Sequence, residues 1–302
     1  MCVILSQESL KQRVICDTNV WYTLAANGTA EFCEILSKYQ LILTNISLVE
    51  MLSSFNITQS DESFQKIRDA FIVVSKYAKF QSANDVEYIM CALGIDFIDE
   101  EHFNIQEKYD NLLANFIEAN TKEDLNYNYE TQIKERESFT NTFVECLNDC
   151  IEQWRKKDVQ VSINEIRKEL IYMLKTDMYN YASHHKIYVD SFPFPEEQID
   201  SKISVTFDLY LTAFSEFIYR VYKQKNMRIK PNDYVDFRNL IYCQKESRYL
   251  TFESSKGERV GGILQTHCKS YLIPNIDKLR AINEDLSRKL LDEINKKNTA
   301  DV

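Results

Sequence analysis

Glycine and proline are scarce in this 302-residue chain, with five Gly, four Pro and no proline before Pro193. All-β folds consume turn residues, so they are disfavoured. With few breakers and abundant Leu, Ile, Glu and Lys, long helices are expected. So few glycines sustain no phosphate-cradling loop or dinucleotide fingerprint, and no serine nucleophile elbow occurs. The eight cysteines, at 2, 16, 33, 91, 146, 150, 243 and 268, contain no Cys-x-x-Cys pair. Most lie in apolar segments, which favours packed thiols in a reducing compartment over a disulfide framework. Cys146 and Cys150 share a helix face at i, i+4, but no nearby His or Cys pair completes a zinc site, and packing is the favoured reading. No run approaches the ~20 apolar residues of a membrane span. The opening run Cys2–Leu5 is too short for a signal peptide and lacks a basic flank. A cytoplasmic protein without a membrane partner is expected. A basic surplus is also missing, since the formal net charge is −10. That argues against a protein that coats nucleic acid regardless of sequence. An enzyme that needs only a local basic path beside an acidic site remains compatible.

Apolar residues make up 44% of the chain, enough for a sizeable core. Residues 13–54 alternate strand, helix, strand, helix. Val14–Cys16 reads as a buried strand, 31–39 as a helix, Leu41–Leu43 as a second strand and 46–55 as a second helix. Such alternation predicts a parallel sheet. From 60 to 225 the pattern is helical, over roughly 61–79, 84–93, 100–120, 129–157, 162–186 and 196–225. Ser60 or Asp61 is a candidate cap for the first of these, and Ser162 with Glu165 forms a capping box. Ser191–Pro195 breaks the pattern before the last. Strand character then returns at Tyr249–Phe252 and Lys269–Ile273, and 275–297 is a charged amphipathic helix. The fold class expected is α/β. One α/β domain, built from 1–59 and 226–302, would be interrupted by an all-helical insertion over 60–225, because neither terminal piece alone has enough strands for a sheet.

Acidic residues recur where such a sheet places ligands. Asp17 ends the first strand, in Val14-Ile15-Cys16-Asp17-Thr18-Asn19. Glu50 lies in the helix after the second strand. Asp233 and Asp236 share a face in the first turn of a helix opened by Pro231. Glu253 follows Tyr249–Phe252. In a parallel sheet all these positions can converge on the carboxyl edge of the strands. Clustered carboxylates repel unless a cation neutralises them, and Mg²⁺ or Mn²⁺ prefers such oxygen ligands. Against this stands a simpler account for each residue alone. With 46 acids in the chain, some end strands by chance. Asp17 would then be a helix cap, and Asp233 a first-turn acid that complements the helix dipole.

Taken together and in order, the four acidic segments resemble the motifs of PIN-domain ribonucleases. The likeness covers roughly 13–55 and 231–275. It implies a PIN-like fold and a Mg²⁺- or Mn²⁺-dependent endoribonuclease that cleaves single-stranded RNA by water attack on the phosphodiester. Asp17, Asp236 and Glu253 would hold metal, and Glu50 would complete the site or position the attacking water. Asp233 competes with Asp236 for its role or accompanies it. Asn19 and Thr251 would hold the site by hydrogen bonds. A toxin or defence effector is a role such proteins fill. The chain departs from the pattern in two places. Glu253 stands where Asp is usual, and compact members lack the long helical block.

The segment 220–230 contains five cations, one tyrosine and no acid. Arg220, Lys223, Lys225, Arg228 and Lys230 are candidates for tracking RNA phosphates, with Tyr222 stacking a base. The alternative is a solvated helix end whose cations offset the dipole. The same alternative is preferred for Arg155-Lys156-Lys157. Besides RNA, the helical block suggests a protein partner or inhibitor, and a second copy of the chain is a further partner left open. Two other functions stay in play. One is a catalytically degenerate PIN-like scaffold that binds protein, favoured by Glu253. The other is a structure-specific DNA nuclease of related fold.

Overall fold

Four short runs of extended chain carry the architecture, in a computed structural model that describes residues 11–27, 39–58, 60–81, 83–95, 100–125, 130–185, 192–244 and 247–251. They are β1 (Gln12–Cys16), β2 (Tyr39–Thr44), β3 (Ala78–Gln81) and β4 (Ser247–Leu250). All pair in parallel, in the order β3-β2-β1-β4. Val14 lies opposite Leu41 on one side and Arg248 on the other.

Both faces of the sheet are covered, as a parallel sheet requires. Alternate side chains go to opposite layers. Val14, Cys16, Leu41, Leu43 and Leu250 face one layer. It is made by α1 (Thr18–Asn27), α2 (Asn45–Thr58), α3 (Asp61–Tyr77) and α5 (Glu100–Glu118), with Trp21, Leu48, Phe71 and Phe116 at its centre. Ile15, Ile42 and Tyr249 face the other. There they meet an apolar layer drawn from α4 (Asp85–Ala92), α6 (Glu130–Lys156), α7 (Ile163–His184), α8 (Ile199–Thr206), α9 (Asp208–Lys223) and α10 (Pro231–Arg238). Among the described residues no helix is long and apolar enough to cross a membrane.

Strand order fixes where a ligand crevice falls. The chain steps from β1 to β2 to β3, then returns to the far side of β1 to lay down β4. The direction of winding reverses between β1 and β4, and open α/β sheets form their crevices at the carboxyl ends of the strands flanking that reversal. Asp17 and Thr251 occupy those two ends.

The expected α/β class holds at this level, and several details are corrected. The stretch 60–225 is not all helical, because β3 lies within it and forms the edge of the sheet beside β2. Ala78-Lys79-Phe80-Gln81 follows α3 without a turn residue, and all four side chains are only half-buried. So short an edge strand has no apolar run to reveal it. Residues 196–225 do not make one helix. A 3₁₀ turn (Glu196–Gln198) precedes α8, and Phe207 separates α8 from α9 with φ −109° and ψ 30°. The β-branched Val205-Thr206 and the acidic Asp208 favour an end and a new start at that point. Tyr39, expected to close a helix, instead opens β2, and 28–38 lie outside the described residues. So do Glu253, the expected strand 269–273 and the expected helix 275–297. Cys146 and Cys150 are exposed, not packed. Cys91 is disulfide-bonded, whereas Cys16, Cys146, Cys150 and Cys243 are free thiols.

The capping reading stands. Ser60 accepts from Ser63 N at 3.1 Å, and Ser162 and Glu165 form a reciprocal box. Inside the helical layer, Arg238 is buried at the end of α10. Its Nε donates to Asp85 Oδ2 at 2.7 Å, and Asp177 lies 3.9 Å from its guanidinium. Arg238→Ala would leave these carboxylates without their cation in a poorly hydrated setting. It is expected to lower stability by about 3 kcal/mol in urea unfolding. A change within about 0.5 kcal/mol would show that the pair contributes nothing.

Candidate functional site

β1 and α1 meet at Asp17. Its backbone N donates to Leu250 O at 3.0 Å, which carries the β1–β4 ladder one residue past the strand. Its carbonyl accepts from Val20 N at 3.0 Å and so starts α1. The side chain is therefore held at the junction of sheet and helix, and the residue is only 3% exposed.

Neutral donors surround this carboxylate. Thr18 N donates to Oδ1 at 2.8 Å. Asn19 Nδ2 and Thr251 Oγ1 each donate to Oδ2 at 2.8 Å, and Asn19 Nδ2 also reaches Thr251 Oγ1 at 3.2 Å. Burial lifts the carboxyl above its ordinary value of 3.8, and the bonds from Thr251, Thr18 and Asn19 oppose that rise. Among the described residues no Lys or Arg bonds to Asp17. Burial likewise pushes the neighbouring Cys16 thiol well up, which disfavours its thiolate.

Glu50 enters through Thr18, whose Oγ1 donates to Glu50 Oε2 at 2.5 Å. One threonine thus holds both acids, Asp17 by its amide and Glu50 by its hydroxyl. Sequence reading assigned Thr18 no role, although it stands inside the Asp-Thr-Asn triplet. Tyr22, one turn along α1, lies near enough to Glu50 for that charge to add to burial in raising its phenol. Lys66 Nζ sits 4.3 Å from the Tyr22 ring centre.

Asp233 and Asp236 lie on α10. Asp233 is buried, and its Oδ2 accepts from Lys230 N at 2.8 Å, so this first-turn acid caps its own helix. Asp236 is half-buried, one turn further on. Among the described residues no three His, Cys, Asp or Glu side chains gather as a metal-holding group. Asp17 and Glu50 are brought into one bonded unit, and Asn19 and Thr251 both bond Asp17 Oδ2. Glu253, two residues beyond Thr251, lies outside the described residues.

The basic segment makes contacts within the fold. Arg220 pairs with Glu216, and Arg228 Nη2 reaches Glu152 Oε1 at 2.6 Å. Tyr222 donates its hydroxyl to Val159 O at 2.7 Å and sets its ring edge-on to Trp154. Lys223 lies over the rings of Tyr219 and Tyr222. Lys230 supplies the amide that Asp233 caps, and Lys225 is exposed. Arg155 donates to carbonyls at the end of α9, including Tyr222 O at 3.1 Å and Gln224 O at 2.9 Å, as a cation at a helix C-terminus should.

No family model, curated protein or solved structure matches this chain.

The Asp17 environment makes a pH-dependent prediction. A carboxyl raised on folding contributes stability below the unfolded value, and that contribution is lost as pH rises through the folded value. Thr251→Val removes a donor that favours the charged form and raises the folded value further. The variant should therefore lose more stability at about pH 7.5 than at about pH 4, by about 1 kcal/mol. Urea unfolding at the two pH values measures this, and an equal loss at both would contradict the assignment.

Proposed function

We propose that the chain is a divalent-metal-dependent endoribonuclease of PIN-like fold acting on single-stranded RNA. The observation that carries this reading is Asp17, a buried carboxylate at the switch point of a parallel sheet, bonded to neutral donors and tied through Thr18 to a second acid. A packed core gains nothing from a buried carboxylate that lacks a cation. An oxygen-ligated divalent ion would offset that charge, and the donor set fits a hard cation.

Asp17, Glu50, Asp236 and Glu253 would hold Mg²⁺ or Mn²⁺, with Asp233 as companion or competitor to Asp236. The ion would supply charge stabilisation at the scissile phosphate and an activated water. The chain's own groups set up the rest. Each carboxylate oxygen has two lone pairs. Asn19 and Thr251 occupy both on Asp17 Oδ2, and Thr18 N occupies one on Oδ1. The remaining Oδ1 lone pair is the one Asp17 can offer a ligand. The Thr18 hydroxyl holds Glu50 in a fixed rotamer. Asp236 and Asn239 lie at i, i+3, so they are neighbours at the end of α10. Asn239 touches Thr44 and Ser47 at the carboxyl edge of β2, which supports turning Asp236 toward Asp17 and Glu50. A role as toxin or defence effector is analogy to the family and adds nothing to the chemistry.

Two measurements test the reading. Purified protein with Mn²⁺ should cleave single-stranded RNA in preference to flapped DNA, and Asp17→Asn and Glu50→Gln should each lower the rate at least 10²-fold, the loss expected for an essential charged group. Undiminished cleavage by Asp17→Asn would refute the assignment. Preference for the flap would move it to a DNA nuclease. In parallel, Mn²⁺ at a hundredfold excess over its Kd should stabilise the wild type by roughly 2.7 kcal/mol. The gain should grow from about pH 5 to about pH 7.5, because metal and proton compete for Asp17. No stabilisation at millimolar metal, together with no cleavage, would favour the degenerate scaffold.

A further inference from the structure

Asn239 follows α10 directly and is fully buried. Its Oδ1 accepts from Thr44 Oγ1 at 2.7 Å and lies 3.4 Å from Ser47 Oγ. Thr44 is the last residue of β2, and Ser47 lies in the first turn of α2. The Thr44 hydroxyl in turn accepts from Ser47 N at 3.1 Å, and Ser47 Oγ donates to Cys16 O at 3.3 Å. Cys16 immediately precedes Asp17.

One proton arrangement satisfies this chain. Thr44 gives its hydroxyl hydrogen to Asn239, Ser47 gives its amide hydrogen to Thr44, and Ser47 gives its hydroxyl hydrogen to the Cys16 carbonyl. Three acid-bearing segments are thereby locked together: the end of β1 with Asp17, the start of α2 with Glu50, and α10 with Asp233 and Asp236. Burying an amide and two hydroxyls costs free energy that an apolar trio would not. Asn239 Nδ2 is itself buried without a hydrogen-bond partner. What such a network gives in return is a unique register between elements that apolar packing would let slide.

We propose that Asn239 is a positioning residue for the carboxylate site, setting the α10 acids against Glu50 and Asp17 through Thr44 and Ser47. This rests on reading those acids as metal-binding. Asn239 does not itself touch the ion, so its removal should act on affinity through geometry.

The test is Mn²⁺ titration calorimetry on the full chain, at a temperature where circular dichroism shows every variant folded. Asn239→Leu and Thr44→Val should each weaken Mn²⁺ binding at least tenfold. The double variant should be little worse than Thr44→Val alone, because both changes break the Thr44–Asn239 bond and Thr44→Val also takes the acceptor from Ser47 N. Thr44→Ser, which keeps the hydroxyl, should bind within about twofold of wild type. A purely structural role would lower the melting temperature and leave the Mn²⁺ affinity unmoved, and that result overturns the proposal. Additive losses in the double variant would overturn it as well. Should Asn239→Leu fail to fold, Thr44→Val against Thr44→Ser decides the same question. If the wild type itself binds no Mn²⁺, the metal reading falls and this proposal with it. If the wild type binds and Asn239→Leu binds equally, only the role of Asn239 is lost.

Discussion

A carboxylate withdrawn from water must be hydrogen-bonded on every side the protein occupies, and Asp17 meets that demand with donors from three residues. Thr18 and Asn19 come from the first turn of α1, and Thr251 comes from just beyond β4, more than two hundred residues away in sequence. These bonds form only if β4 lies beside β1, in register, with its carboxyl end level with Asp17. The strand order β3-β2-β1-β4 provides this. The site and the topology are thus two aspects of one constraint. Slide β4 by one residue and Thr251 leaves Asp17, while Tyr249 and Leu250 exchange faces and both helical layers lose their contacts.

The same constraint gives the helical block its place. Parallel strands cannot be joined by a tight turn, so the chain needs a crossover to pass from β3 at one edge to β4 at the other. Here that crossover runs from Asp85 to Tyr242 and includes most of the helices. It rests on the Ile15–Ile42–Tyr249 face, and the Arg238–Asp85 pair ties its last helix to its first. One helix, α5, reaches the opposite face, where Tyr109 packs on Phe80 and accepts from Asn45 Nδ2 at 2.8 Å. Asn45 opens α2 at the carboxyl edge. The block therefore supplies a wall beside the site as well as a cover for the sheet.

How much of this was legible follows from how local each signal is. β1, β2 and the helix after β2 are written as apolar runs and 3.6-residue periods, and they stand close to where expected, whereas α1 between the two strands was not read. Asp17 was readable because it ends an apolar strand, whereas Asn19 and Thr251 were named only through the resemblance to the family motifs. β3 was not readable, since four half-buried residues joined directly to a helix carry no periodicity. The split at Phe207 was hidden for a related reason. Its apolar spacing continues through the break, and only Val205-Thr206-Asp208 marks it. Exposure of Cys146 and Cys150 depends on which face of α6 meets the layer, which is a tertiary fact. The contacts of the basic segment within the fold were not legible either. Arg220, Tyr222 and Arg228 find partners at Glu216, Val159 and Glu152, most of them far off in sequence.

Thr18 and Asn239 show what a search for acids overlooks. Neither carries charge, yet one bonds Asp17 to Glu50 and the other ties α10 to the edge that holds them. Carboxylates brought together repel, so their positions cannot be maintained by the acids themselves. Without a cation the work falls to neutral donors, which gain when the carboxylate is charged and still hold it when it is protonated. A lysine in their place would neutralise Asp17 and compete with any metal. Thr, Asn and backbone N–H fix the geometry and leave the charge unspent, which is the condition under which a buried acid at a switch point can still bind a cation.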